Sequence, residues 1–287
     1  MLKTRLLTAG FLIPLSFSLI AFTPLALFMK AVWGLVGLAA FEWAKLSGLK
    51  SQTRLVFVGR LVYAALLMAA SFYSNQYQLA GLWLKSAPIF WLFMGLCVIG
   101  VNYSKNLKTF LSHPITSLLM GFWVLLPFGY ALIFLREYGQ RILEFNILNT
   151  TISMKGLFLV TSIALVAIAD SSAYFVGKRW GKHKLAPSIS PGKTWEGFLG
   201  ALAAALLLSP ALSMLWAQDD ANKAWLSACW IIMVVLSVVG DLFESLFKRA
   251  QSLKDSGNIL PGHGGILDRV DSLTAGLSVL AGIMLWI

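Results

Sequence analysis

The chain is short of charge. Of its 287 residues, 12% are Asp, Glu, Lys or Arg and 58% are hydrophobic, whereas a water-soluble domain carries about twice that charged share. Polar stretches never run beyond about 20 residues, which leaves no room for a separate soluble domain. Acidic groups are scarcest early: Glu42, Glu137 and Glu144 are the three that precede residue 170, so the first half reads as scaffold. There are two cysteines, Cys97 and Cys229, both inside apolar runs and without metal-type spacing. That excludes a thiolate zinc site and makes core packing their expected role. Three histidines give no zinc spacing and no Ser–His–Asp arrangement. His113 and His183 read as solvated loop residues, whereas His263, set between glycines, suits a phosphate contact or proton transfer.

Long apolar runs are what the chain does have. Nine segments recur, at about 6–22, 24–44, 55–72, 87–102, 116–135, 156–176, 197–216, 225–247 and 265–287, most near the roughly 20 residues that cross a bilayer. The expectation is an all-α polytopic membrane protein with about nine transmembrane helices. Residues 6–44 as one helix would run about 58 Å, so Pro24 and Lys30 mark a break. The basic, apolar start resembles a signal peptide, but no small-x-small site follows, and a retained first span is expected. With a cytoplasmic N-terminus and nine alternating spans, sixteen Lys and Arg fall at inside ends and five at outside ends, as the positive-inside rule requires. The net charge of +11 therefore reads as topology and contact with anionic lipid. Nucleic acid is not an expected partner, because no basic domain carries such a site. The chain divides into scaffold spans, 1–155, and a C-terminal catalytic region, 156–287, with cytoplasmic loops at 177–196 and 248–264.

Three clusters carry the chemistry. In VVLSVVGDLFESLFKR, residues 234–249, Asp241, Glu244, Ser245 and Lys248 fall at i, i+3, i+4 and i+7, on one helix face. A carboxylate such as Asp241 inside a span is costly without a partner, cation or water; a helix–helix salt bridge is the plain alternative. In LPGHGGILDRVD, residues 260–271, Pro261, Gly262, Gly264 and Gly265 open a helix whose first turns bear Asp268 and Asp271. Glycines and a helix N-terminus suit an anion, yet aspartates sit there. A divalent cation between carboxylate and phosphate resolves that conflict, and a solvated polar cap is the alternative. Asp241 and Asp268 lie on consecutive antiparallel spans, so they are expected to face each other and bind metal, with Lys248, Arg249, Lys254 and Arg269 around them. In the third cluster, residues 169–197, Asp170 ends a span and SPGKTWEG opens the next helix. Ser190, Lys193 and Thr194 suit phosphate, and Glu196 suits a helix cap or a metal. A P-loop is excluded: Pro187 stands where the first glycine belongs, and no strand is expected before it.

SLFKRAQSLKDSGNILPGHGGILDRVD, residues 245–271, resembles the signature of phosphatidate cytidylyltransferases, or CDP-diacylglycerol synthases. The likeness lies in Ser245, Lys248–Arg249, Lys254–Asp255, His263–Gly264–Gly265, Asp268–Arg269 and Asp271. SPGKTWEG, the tract Asp170…Ala173–Tyr174–Phe175…Gly177 and the tripeptide FEW at 41–43 are similar too. Ser171–Ser172 departs from the family's common Thr-Gly. The strong likeness covers roughly residues 165–287.

The resemblance implies that CTP and phosphatidate give CDP-diacylglycerol and pyrophosphate. It implies Asp241 and Asp268 as a Mg²⁺-binding pair and leaves open a second, monovalent cation. Lys248 and Arg269 join that pair as catalytic candidates. Substrate-binding candidates are Asp170, Ser190, Lys193, Thr194, Glu196, Glu244, Arg249, Lys254, Asp255, His263, Gly264, Gly265 and Asp271. It further implies a homodimer in a bacterial inner membrane, among membrane lipids, with its site facing the cytoplasm. Two other classes stay open from the residues themselves. A CTP-dependent polyprenol or phytol kinase would need to activate a hydroxyl. An ion-coupled transporter would line a path with Asp170, Asp241 and Asp268, but calls for midplane carboxylates and paired broken helices.

Overall fold

A chain this apolar must satisfy its backbone polar groups from within, and helices do so segment by segment. The computed structural model describes residues 2–49, 53–76, 79–101, 105–138, 144–147, 150–153, 156–217, 219–260, 262 and 264–286. The helices are α1 (Leu2–Phe22), α2 (Leu25–Leu46), α3 (Arg54–Gln76), α4 (Ala80–Val101), the short α5 (Lys105–Ser112), α6 (Pro114–Tyr138), α7 (Leu157–Trp180), α8 (Trp195–Ser213), α9 (Asp220–Ala250) and α10 (Leu267–Met284). Each of the nine apolar segments takes up most of one long helix. Among the described residues, seven helices are long and apolar enough to cross a membrane. In α1 the apolar stretch Gly10–Phe22 is shorter, and α10 carries Asp268, Arg269 and Asp271 in its first turns. The all-α expectation holds for everything that spans.

The break foreseen in the first apolar stretch falls between α1 and α2, with Pro24 as the N-cap of α2. Arg136 of α6 clamps it. Its Nε donates to the Ile20 carbonyl at 2.8 Å, its Nη2 donates to the Thr23 carbonyl, and its guanidinium lies 4.4 Å from the Phe28 ring centroid.

Two antiparallel hairpins interrupt the helices. One joins β1 (Glu144–Ile147) to β2 (Thr150–Ser153). The other joins β3 (Lys184–Ala186) to β4 (Ser190–Thr194), pairing Lys184 with Thr194 and Ala186 with Ser190. SPGKT is therefore a strand and not the opening of a helix. Pro191 disfavours helical backbone at Ser190, and Gly192 weakens a helix further. The helix waits for Thr194, whose Oγ1 accepts from the Gly197 amide at 3.1 Å as an N-cap. A short strand does precede the GKT triplet, but it is hairpin-paired and antiparallel, unlike a P-loop strand.

Helices α4, α6, α9 and α10 form the interior, with α7 and α8 paired beside them and α2 closing the end that bears the motifs. An aromatic stack binds α2, α4 and α9: Trp43 lies 5.2 Å from Phe247, Phe247 4.9 Å from Phe243, and Phe243 5.5 Å from Trp91, by ring centroids. Large apolar side chains such as Leu55, Phe72, Leu96 and Leu207 point outward, as a lipid-facing surface requires. Small residues let the key pairs approach. A Cβ on Gly240 of α9 would lie 2.6 Å from the Asp271 carbonyl and 2.8 Å from Ala275 Cβ of α10. One on Gly200 of α8 would lie 2.7 Å from Val176 Cγ2 of α7. Close small-residue contact is how helices associate where lipid removes the hydrophobic drive.

Gly200→Ala is expected to destabilise the protein by roughly 1–3 kcal/mol, the cost of overpacking, because Val176 stands in the way. Gly34→Ala, with open space around its Cβ, is expected to be neutral or stabilising by up to about 1 kcal/mol. Thermal unfolding in one detergent compares the two; equal shifts would contradict the close α7–α8 crossing.

Candidate active site

The motifs converge at one end of the bundle, where α7 ends, α8 and α10 begin and α9 ends. Asp241, nine residues before the end of α9, is met by Lys193 from β4, with Nζ 2.7 Å from Oδ2. Ser245, one turn on, donates to Asp241 Oδ1 at 3.3 Å. The hairpin is thus fastened to α9 by an ion pair. Arg249 adds a second fastening, its Nε donating to the Ile189 carbonyl in the β3–β4 turn at 3.2 Å.

Lys248 lies on the same face of α9 and reaches across to α10. Its Nζ is 3.0 Å from Asp268 Oδ1 and 3.3 Å from Glu244 Oε1. The Glu244 side chain is buried and those of Lys248 and Asp268 are largely so, at 3%, 12% and 6% exposure. The Glu244 contact is ionic, without hydrogen-bond geometry. Asp268 is held further by main-chain amides: Ser256 donates at 2.9 Å to Oδ2 and 3.2 Å to Oδ1, and Gly265 donates to Oδ2 at 2.8 Å. Asp271 faces the same cluster, within electrostatic reach of Asp241 and Glu244. On α7, Asp170 accepts from Ser272 Oγ at 3.1 Å and feels the charges of Lys193 and Asp241. Asp170, Asp241, Glu244, Asp268 and Asp271 therefore gather around Lys193 and Lys248. Among the described residues, no three ligand-type side chains sit closely enough to hold a metal ion by themselves.

The glycine-rich turn is tight. Leu260 donates to the Gly264 carbonyl at 2.9 Å, and Gly262 and Gly264 take left-handed φ of 73° and 84°, where glycine is unstrained. The sequence suggested that its amides await a phosphate. In the fold, the Gly265 amide goes to Asp268 and the Leu267 amide to Glu42, at 2.9 Å. Pro261 and His263 lie outside the described residues.

The remaining candidates stand around this centre. Glu196 accepts from the Lys182 and His183 amides at 3.1 and 3.2 Å and pairs with His183 Nδ1 at 2.6 Å. It fastens the corner between α7 and β3, and His183 has a partner rather than water alone. Thr194 caps α8, and Ser190 opens β4 half-buried. Lys254, Asp255 and Arg269 are exposed. The residue that sequence reasoning passed over is Glu42 of α2, which is 1% exposed and reaches the loop before α10. An acidic residue in an apolar segment is itself a signal, but nothing in the sequence names its partner.

A model of the cytidylyltransferase family matches residues 3–287. The chain belongs to the cytidylyltransferase family. It is 39% identical to a phosphatidate cytidylyltransferase of Pseudomonas aeruginosa, over 99% of this chain and 97% of that one. It is 37% identical to one of Haemophilus influenzae over 96% of each, and 47% identical over 115 residues to one of Bacillus subtilis, 40% of this chain and 42% of that one. The cytidylyltransferase match takes in α2 with Glu42 as well as the motif-bearing helices.

Lys248→Met should leave Glu244 and Asp268 buried beside each other without their cation. Breaking such a group costs about 3–5 kcal/mol, so a lowered unfolding temperature is expected. Lys254→Met, at an exposed site, should change stability by no more than about 0.5 kcal/mol and barely move that temperature. Equal small effects at both positions would contradict the buried placement of Lys248.

Proposed function

We propose that this cytidylyltransferase moves the cytidylyl group of CTP onto phosphatidate, giving CDP-diacylglycerol and pyrophosphate. What carries the reading is a cluster of aspartates and lysines at one end of an apolar helical bundle, in a chain similar along its whole length to phosphatidate cytidylyltransferases. In the reaction an oxygen of the phosphatidate phosphate forms a bond to the α-phosphorus of CTP. The bond from that phosphorus to the bridging oxygen breaks, and pyrophosphate leaves with the electron pair. Phosphatidate is already anionic, so neither a strong general base nor a protein nucleophile is required. The chain must orient two anions and stabilise charge on the transferred and leaving groups.

Lys193 and Lys248 suit that task. Each rests on a carboxylate that can pass it to a phosphate, and Arg269 lies exposed one residue from Asp268. Arg249 supports the hairpin that carries Lys193. Mg²⁺ is the cofactor in this reading, held by Asp241 and Asp268. Its preference for oxygen donors, with one or two carboxylates completed by phosphates and water, suits carboxylates such as Asp241 and Asp268; among the described residues no three ligand-type side chains are grouped, so phosphates and water would complete the shell. When bound it supplies positive charge opposite the nucleotide phosphates. Glu196, Glu244 and Asp271 would support the Asp241 and Asp268 pair from outside it or hold a second, monovalent cation. The protein acts as a homodimer in a bacterial inner membrane, N-terminus and site on the cytoplasmic side where CTP is found, with nine spans.

Purified protein given phosphatidate, Mg²⁺ and CTP labelled on the α-phosphate should carry label into the organic phase. Asp241→Asn and Asp268→Asn are expected to lower transfer at least about 100-fold while the protein stays folded, and chelation should abolish it. Transfer that survives Asp268→Asn would overturn the metal assignment. Phosphorylation of a lipid alcohol from γ-labelled CTP, without phosphatidate-dependent transfer, would favour a lipid kinase.

A further inference from the structure

Glu42 stands 214 residues from Ser256 and 225 from Leu267 in the chain. Its carboxylate is nonetheless enclosed by the loop between α9 and α10. Oε2 accepts from the Leu267 amide at 2.9 Å and from Ser256 Oγ at 3.1 Å. Oε1 is buried without a hydrogen-bond partner among the described residues, packed where Gly257 leaves space: a Cβ there would lie 2.6 Å from Glu42 Cδ. A Cβ on Gly265 would lie 2.5 Å from Glu42 Oε2. The carboxylate thus confines Gly257 to glycine, and together with Ser256 Oγ, closer still to a Cβ at 265, it confines Gly265.

Ser256 makes the connection to the site. Its hydroxyl is given to Glu42, and its amide is given to Asp268. Gly265, which Glu42 packs against, gives its amide to Asp268 as well. Glu42 grips the loop from behind, and the loop's front amides orient Asp268. The residues flanking Glu42 keep α2 in place. Trp43 packs on Phe247 of α9 and donates from Nε1 to the Ser117 carbonyl at 2.8 Å. The Phe41 carbonyl accepts from Arg60 Nε at 3.1 Å, with the guanidinium 3.8 Å over the Phe41 ring.

We propose that Glu42 is a positioning residue for cytidylyl transfer, setting the orientation of Asp268 through Ser256 and the Gly265 turn. The proposal rests on the function given above for its kinetic arm and stands free of it for its structural arm. Outer hydrogen-bond partners of this kind shift activity by about 10- to 100-fold when lost. Because Glu42 acts through Asp268 and not on the nucleotide, the loss should appear in kcat, with the KM for CTP moving little.

The test compares wild type, Glu42→Ala, Glu42→Gln and Ser256→Ala in detergent, by hydrogen exchange over residues 253–268 and by steady-state transfer. Glu42→Ala should lose amide protection in that stretch while α4 and α6 keep theirs, and kcat should fall about 10- to 100-fold. Glu42→Gln keeps an oxygen that accepts both bonds and should recover most of the protection and turnover. Ser256→Ala should lower kcat in the same direction, and it provides the kinetic test should Glu42→Ala fail to fold. Wild-type protection or an unchanged kcat in folded Glu42→Ala would overturn the proposal. So would equal losses in the Gln and Ala variants, or an unchanged kcat in Ser256→Ala. Absence of transfer by the wild type would defeat the assigned reaction instead, and hydrogen exchange would still decide whether Glu42 orders the loop.

Discussion

Keeping several carboxylates together at the end of an apolar bundle is the constraint on which the rest of the structure depends. Buried carboxylates repel one another and lose their hydration, so each needs a cation or a donor. Lys248 lies between Glu244 and Asp268, and Lys193 meets Asp241. The two lysines arrive from different directions, one along α9 and one from the β3–β4 hairpin. The hairpin's position is therefore tied to the electrostatics of the cluster. Arg249 on the hairpin turn and Glu196 on the α7–β3 corner hold the strand that delivers Lys193.

Close packing gives the cluster its geometry. Gly240 lets α9 and α10 approach within the space of a missing Cβ, one residue from Asp241 and directly against the Asp271 carbonyl. Side chains on two antiparallel helices can then act on each other at the helix ends. The aromatic stack of Trp43, Phe247, Phe243 and Trp91 holds α2 and α4 against α9. It places α2 and α4, from the first half of the chain, beside α9, and Glu42 of α2 bonds to the loop that holds Asp268.

Where sequence reasoning failed, it failed for local reasons with long-range consequences. SPGKT reads as the entry to a helix because Trp195–Glu196–Gly197 follows. Pro191 and Gly192 delay the helix to Thr194 and leave a strand that can present Lys193.

The class of protein, the positions of its long helices, the break near Pro24 and the family are legible in the order of the residues alone. Apolar length, charge scarcity and motif spacing are local properties, and they survive without knowledge of contacts. Tertiary structure decided the partners: Lys193 with Asp241, Lys248 with both Glu244 and Asp268, and Glu42 with a loop more than two hundred residues away. Whether a buried carboxylate is a ligand, an ion pair or a clamp depends on which donors lie within about 3 Å. That distance is set by helix crossings and close glycine contacts, which periodicity and composition do not encode.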